Sequence, residues 1–440
     1  MGTVASPGRR ELAVDAYRVC AAIAVVVGHW LAAAVVFRDG HIVRSNILVE
    51  APWTQWLTWI FQVVPVFFLV AGYASAVSWT GRGATSARDW LGRRVRTVLG
   101  PTTAYVVAML AAVAVSVLAG VDNSTLDLGA WAVAMHLWFI PVYVVLVVLT
   151  PAAVAAHRRW GLFAPMVLAA GVIAVDTIGL GAGIPEILVA NNLLCWAAIF
   201  QLGVAWAAGS VDRRNSAVLL VLAVATLVIA LVVGPYPISL IGVPGQVVQN
   251  SSPPSVVMLA FATAQSAALI MVAPAVTARL QGARVRSWLR AANRRVMVLY
   301  LWHMVAVVPF VMIVYPAGWF PQPAVNSAQW WWTRLLWIAA LSVLTAVVLA
   351  IVAWAKSLMV TDLPTVPVSL PVNASTVILI LGTAFAVTAL RNFSASGFAP
   401  DGRFPVSTAL CYLFGVAIVA LRPVQRTPAG LRDQSRADDG

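Results

Sequence analysis

The sequence predicts an all-α membrane protein, a polytopic transmembrane helical bundle of about 12 spans with both termini cytoplasmic. Three observations predict it. Of 440 residues 61% are apolar and only 10% charged, too little polar surface to keep most of the chain in water. Apolar runs recur along nearly the whole length at the ~20 residues needed to cross a hydrocarbon core of ~30 Å. Finally, the basic residues alternate between connections. With the amino terminus inside, 22 Lys and Arg fall on the inner side and 5 on the outer, and Arg18 alone lies within a span.

The first run, 14–37, follows Arg9 and Arg10 but contains Arg18 and lacks a clean small-residue cleavage site. It therefore reads as a retained first helix rather than a removed signal peptide. Runs at 53–79, 97–120, 131–156, 161–180 and 192–209 complete the first half. The second half has 217–234, 255–278, 296–315, 335–355, 376–390 and 406–421, with the eleventh run short. Dropping a middle helix would scramble the alternation of charge, so an even count is favoured. The expected organisation is a cytoplasmic amino terminus at 1–13, a transmembrane core at 14–355, two additional spans within 356–421 and a polar, disordered tail at 422–440. Of the outer loops, 235–254 is rich in Pro and Gly. The other, 316–333, contains Trp330-Trp331-Trp332, read as interfacial anchors with a substrate platform as the alternative.

A formal charge of +13 does not indicate nucleic-acid binding, because the arginines lie in short clusters between apolar runs. Cys20, Cys195 and Cys411 sit within apolar runs, none at metal-ligand or redox spacing, and are expected to be packing residues. No metal site is expected.

Ionisable groups within spans cost roughly 2.5 to 3.5 kcal/mol each and require a partner or a role. The first span holds Asp15, Arg18 and His29. Asp15 and Arg18 are three residues apart, close enough to pair or to anchor the helix at the headgroups. Arg18 and His29 are eleven apart, close to three helical turns, so they share a face at about 16 Å separation along the axis. His29 is too deep to snorkel and is either a proton acceptor or a hydrogen-bonded packing residue. His136, His303 and Asp176 are each open to two readings, a helix–helix hydrogen bond or a cavity lining, while His41 and His157 fall in loops. Arg93, Arg94 and Arg96, in the inner loop 81–100, suit either a lipid-facing anchor or a phosphate clamp.

Taken in order, these landmarks form a pattern. Arg18, ten residues and His29 resemble the signature of the type-three membrane acyltransferases. Pro65-Val-Phe-Phe-Leu-Val-Ala-Gly-Tyr73 is similar to the family's second-helix stretch, with Ala71 where Ser is common. Arg93 and Arg96 resemble its basic inner-loop pair, His136-Leu-Trp-Phe139 its Leu-Trp-Phe segment, and Leu299-Tyr-Leu-Trp-His303 its late helix with a terminal His. The resemblance covers roughly residues 9–355. It implies an integral-membrane O-acyltransferase of ten core helices, moving an acyl group, acetyl or another short one, from cytoplasmic acyl-CoA to a hydroxyl. The acceptor would be a glycan, glycolipid or other small molecule of the cell envelope, and the setting a bacterial inner membrane. In that scheme His29 is the general base, and Arg18, held by Asp15, binds donor phosphate or stabilises developing negative charge. Arg93, Arg94 and Arg96 hold the CoA phosphates, and Tyr73, His136, Trp138, Asp176 and His303 line the cavity. The partners are donor, acceptor and membrane lipids. No glycine-rich phosphate loop, zinc spacing or serine elbow is present, so no cofactor is expected beyond acyl-CoA as co-substrate.

Asp89-Trp-Leu-Gly92-Arg93-Arg94 is also similar to the loop motif of twelve-span facilitator transporters. A facilitator should have two similar halves, yet the Arg-rich loop has no counterpart after the eighth span, where an unrelated run at 278–295 appears. A lipid scaffold or flippase is the third reading. The order of preference is enzyme, transporter, scaffold.

Overall fold

The computed structural model describes residues 11–38, 41–355, 362–369 and 371–423. Arg9, Arg10, Lys356, Arg426, Arg432 and Arg436, and the expected tail from 424 onward, lie outside these. The principal helices are α1 (Leu12–Ala32), α2 (Val64–Thr80), α3 (Ala87–Leu118), α4 (Asn123–Ala132), α5 (Phe139–Val148), α6 (Thr150–Trp160), α7 (Phe163–Gly181), α8 (Asn191–Ala207), α9 (Arg213–Val233), α10 (Val256–Arg279), α11 (Ala283–Trp302), α12 (Val307–Val314), α13 (Ala328–Trp354), α14 (Val372–Ser396) and α15 (Val406–Ala420). Among the described residues nine helices are long and apolar enough to cross a membrane, or eleven if two bent pairs each count as one span. The chain is a multi-pass helical membrane protein. The short run expected at 376–390 belongs to the 25-residue helix α14, whereas the run at 406–421 forms only the 15-residue helix α15, too short to be counted among those spans.

Several expected boundaries move for local reasons. The first apolar run does not remain helical to Phe37. It leaves α1 at Ala32 and forms β1 (Ala33–Arg38), paired antiparallel with β2 (His41–Asn46), with Ala33 opposite Asn46. Ala-Ala-Val-Val-Phe is as apolar as the helix before it, but its β-branched residues suit a strand, and hydropathy alone cannot separate the two. His41 is thus in a strand. His157 also is not in a loop: it lies near the end of α6, its Nε2 3.0 Å from the Ser210 hydroxyl.

The arginine-rich stretch is also helical. Ser86 caps α3 by accepting the Asp89 N–H at 3.1 Å, so Arg88 through Arg96 lie on its first turns. At 32 residues α3 is about 48 Å long, well beyond the hydrocarbon core. The Trp run likewise begins a helix, since Ser327 caps α13. Trp332 is 71% exposed and suits an interface, whereas Trp330 is buried.

Small residues bring the helices close, as expected where no hydrophobic effect drives association in lipid. A Cβ on Gly72 of α2 would lie 2.0 Å from the Phe200 carbonyl oxygen of α8. One on Gly203 would lie 2.1 Å from the Leu69 carbonyl oxygen. Both obstacles are backbone, so neither can yield without moving a helix. Gly72→Val should therefore destabilise the bundle by about 3 kcal/mol or more, seen as a lower melting temperature in detergent, while an exposed change such as Val221→Ala leaves it unaltered.

The carboxyl-terminal pair α14 and α15 crosses at Gly382 and Gly415 in the same manner. α14 packs on the 3₁₀ turn Met135–Trp138, and the Phe398 N–H donates to the Ala130 carbonyl at 3.4 Å. The two added helices thus brace the break between α4 and α5.

Candidate active site

Both bent spans break at a histidine. α4 meets the helix that begins at Met135 at 44°, with His136 inside the 3₁₀ turn between them. α11 meets α12 at 43°, and His303 is the first residue past α11. His29 lies in the last turn of α1. A broken helix leaves carbonyls without their i+4 donors, which inside a membrane is tolerated only where protein supplies others. Here side chains do so: the Tyr300 hydroxyl donates to the His136 carbonyl, and Trp30 Nε1 donates to the His303 carbonyl at 3.3 Å.

These three helix ends bring the imidazoles together. His29 Nδ1 is 2.8 Å from His303 Nε2, and the two rings stack with centroids 5.1 Å apart and planes 13° from parallel. His303 Nδ1 is 2.7 Å from the Tyr300 carbonyl oxygen. A carbonyl can only accept, so His303 carries its proton on Nδ1 and presents a bare Nε2. His29 must then donate from Nδ1. In the neutral dyad, the hydrogen-bond partners thus assign a proton-free Nε2 to His29. That nitrogen is the one a general base needs. His29 is partly exposed, whereas His303 is fully enclosed.

His136 completes the cluster. Its ring is 5.1 Å from that of His303 and meets Tyr105 and Tyr300 edge-on at 5.8 and 5.3 Å. The Leu301 backbone lies beside it, but neither ring nitrogen has a hydrogen-bond partner of good geometry, although the residue is only 1% exposed. A buried unsatisfied imidazole in a native site calls for a functional explanation.

At the other end of α1 the arginines divide. Asp15 is buried where Asn293 of α11 donates to its backbone carbonyl, and Arg18 faces α3 near Arg94. Arg94 lies over Trp90 at 5.4 Å, with Tyr143 and Arg93 also within electrostatic reach. Arg93 itself is exposed. Arg96 is buried on a different face, near Arg88, Arg422 and Asp362.

A family model described as an acyltransferase domain matches residues 11–354, which contain the three histidines and the arginines of α1 and α3. The chain belongs to the acyltransferase 3 family. No curated protein and no solved structure matches it. Membership decides for the enzyme over the transporter and the scaffold: the protein is a membrane acyltransferase.

Within the acyltransferase the residues grouped in the sequence as cavity lining separate. His136 and His303 join His29. Tyr73 packs on Trp206 at 4.5 Å near Glu11, at the start of α1. Trp138 is 37% exposed and flanks Phe139 and Trp196 at 6.4 and 6.3 Å. Asp176 lies apart from the histidines and lines a separate cavity with Leu180, Tyr236 and Ser255. It accepts from Asn191 Nδ2 at 3.1 Å, the Tyr236 hydroxyl at 2.9 Å and the Val256 N–H at 2.7 Å, which ties the loop 235–254 to α7. Tyr300 lies within the Leu299-to-His303 motif and Trp30 next to His29, but the sequence by itself assigns neither a role. Tyr300 acts through its hydroxyl and backbone carbonyl and Trp30 through its indole N–H, toward partners that only the folded chain brings into register. Among the described residues no group of three His, Cys, Asp or Glu is arranged to hold a metal ion.

Proposed function

We propose that this acyltransferase moves an acetyl or other short acyl group from cytoplasmic acyl-CoA to a hydroxyl of a cell-envelope glycan, glycolipid or small acceptor. The setting we propose is a bacterial inner membrane, with both termini and the arginine end of α1 on the cytoplasmic side. The observation that carries this is the hydrogen bond between His29 and His303, which leaves His29 Nε2 bare. In the reaction His29 Nε2 takes the proton of the acceptor hydroxyl as its oxygen attacks the thioester carbonyl carbon. The new ester bond forms, the C–S bond breaks, and the imidazolium returns the proton to the departing thiolate. His136 is suited to donate to the carbonyl oxygen as negative charge develops there.

Arg18 and Arg94 supply the donor end. Two guanidinium groups in electrostatic contact favour an anion between them, and donor phosphates provide it. Eleven residues of α1 place this end about 16 Å from His29, a span that the extended arm of a CoA thioester crosses.

The test is binding and turnover of acetyl-CoA by detergent-purified protein. Saturable binding with acyl-CoA consumption supports the reading, and no binding of any acyl-CoA overturns it. The arginines are expected to differ. Arg94→Ala should weaken donor binding about tenfold and Arg93→Ala about twofold or less, since an exposed charge contributes little. Calorimetric Kd values check this, and equal effects at the two positions would return both to an anchoring role.

A further inference from the structure

One buried cation plays no part in the chemistry above. Arg334 of α13 is 4% exposed, and no carboxylate pairs with it among the described residues. Its guanidinium lies 4.2 Å from the Trp330 ring centroid and 5.0 Å from that of Trp337, with the Tyr315 hydroxyl in hydrogen-bonding reach. Nη1 donates to the Ala33 carbonyl at 3.3 Å.

Three residues further along the same face of α13, Trp337 Nε1 donates to the Trp30 carbonyl at 2.8 Å. Trp30 Nε1 in turn donates to the His303 carbonyl at 3.3 Å. All three bonds serve carbonyls beside the dyad, two at the end of α1 and one at the break in α11. Helix ends leave such carbonyls unpaired, and α1 passes directly into β1 with no glycine cap. The Arg334 charge also faces the negative end of the α1 dipole, and the two indole faces complement it further. These contacts satisfy Nη1 and complement the charge, while Nε is buried without a hydrogen-bond partner. A lysine has neither the planar group that fits between two indoles nor the fork that reaches past them.

We propose that Arg334 and Trp337 are positioning residues, which clamp the last turn of α1 so that His29 meets His303 at hydrogen-bonding distance. Arg334 touches neither imidazole. The proposal deepens the reading of His29 as general base and rests on it, so its test needs a readout that does not depend on acyl transfer.

That readout is the ring nitrogen resonances of His29 and His303 in full-length, ¹⁵N-histidine-labelled protein, recorded for wild type, Arg334→Lys, Trp337→Phe and the exposed control Trp332→Phe. Wild type and control should show His29 protonated at Nδ1 and bare at Nε2. In the two clamp variants the pattern should move towards mixed tautomers, and kcat should fall about tenfold with donor KM held within about twofold, as for a misplaced catalytic group. Trp337→Phe keeps a ring and removes one N–H, so it carries the test if Arg334→Lys fails to fold. Wild-type nitrogen shifts in both clamp variants would overturn the proposal, and so would altered shifts with unchanged kcat. If wild type transfers no acyl group, the base assignment fails separately, and the nitrogen shifts still decide whether α13 holds His29 in place.

Discussion

Replacing His29 with alanine is expected to lower acyl transfer by about 10²- to 10⁴-fold, the range a positioned general base supplies, and to leave the protein folded. The residue is partly exposed and its side chain makes one hydrogen bond, to His303, so little packing is lost with it. His29→Gln separates the base from a structural donor. The glutamine amide N–H can still donate to His303 Nε2 but cannot accept a proton from a hydroxyl. Acyl-CoA consumption by purified variants of equal melting temperature checks both. If His29 is the base, the alanine and glutamine proteins are equally inactive. A glutamine variant that keeps most of the activity would show that His29 only organises the site.

The second large effect is expected at His303. His303→Ala should reduce kcat by about 10²-fold with donor KM little changed, because it removes the acceptor that sets the His29 tautomer, as an orienting partner does in a triad. The side chain is fully buried, so the alanine variant should also melt lower. A stability defect alone cannot explain a pattern in which His303→Gln recovers part of the rate. Its amide oxygen can accept from His29 Nδ1, whereas alanine offers nothing. Steady-state kinetics on the two variants decides the matter. If His303→Gln and His303→Ala are equally slow while His29 keeps its wild-type ring shifts, orientation by His303 is wrong.

Much of this protein is legible along the chain because a bilayer imposes a simple demand. Each crossing requires ~20 apolar residues with their backbone groups satisfied internally, and that demand is local, so α1, α3, α8 and α10 can be found from runs of apolar residues. The same logic exposes Arg18, His29, His136 and His303, since polar groups are conspicuous against such a background. Hydropathy carries no information about backbone conformation, however. It could not tell the Ala33–Arg38 strand from more helix, nor place the Trp330 run on α13, nor reveal that α4 with α5 and α11 with α12 bend by 44° and 43°.

What the sequence determined by itself is therefore the membrane class, the family pattern and the histidines with chemistry to offer. Tertiary structure alone decided which of them act together. His29 and His303 are 274 residues apart, and their bond exists because two helices end at the same place. Arg18 meets Arg94 of α3, 76 residues away in the chain, and the three loop arginines separate onto different faces of α3. Arg334 is an ordinary outer-loop charge in the sequence and a buried clamp in the fold. The physical reason is common to all of these. A side chain's identity fixes what bonds it can make, but the partner that completes each bond comes from a distant helix, and only packing decides which helix that is.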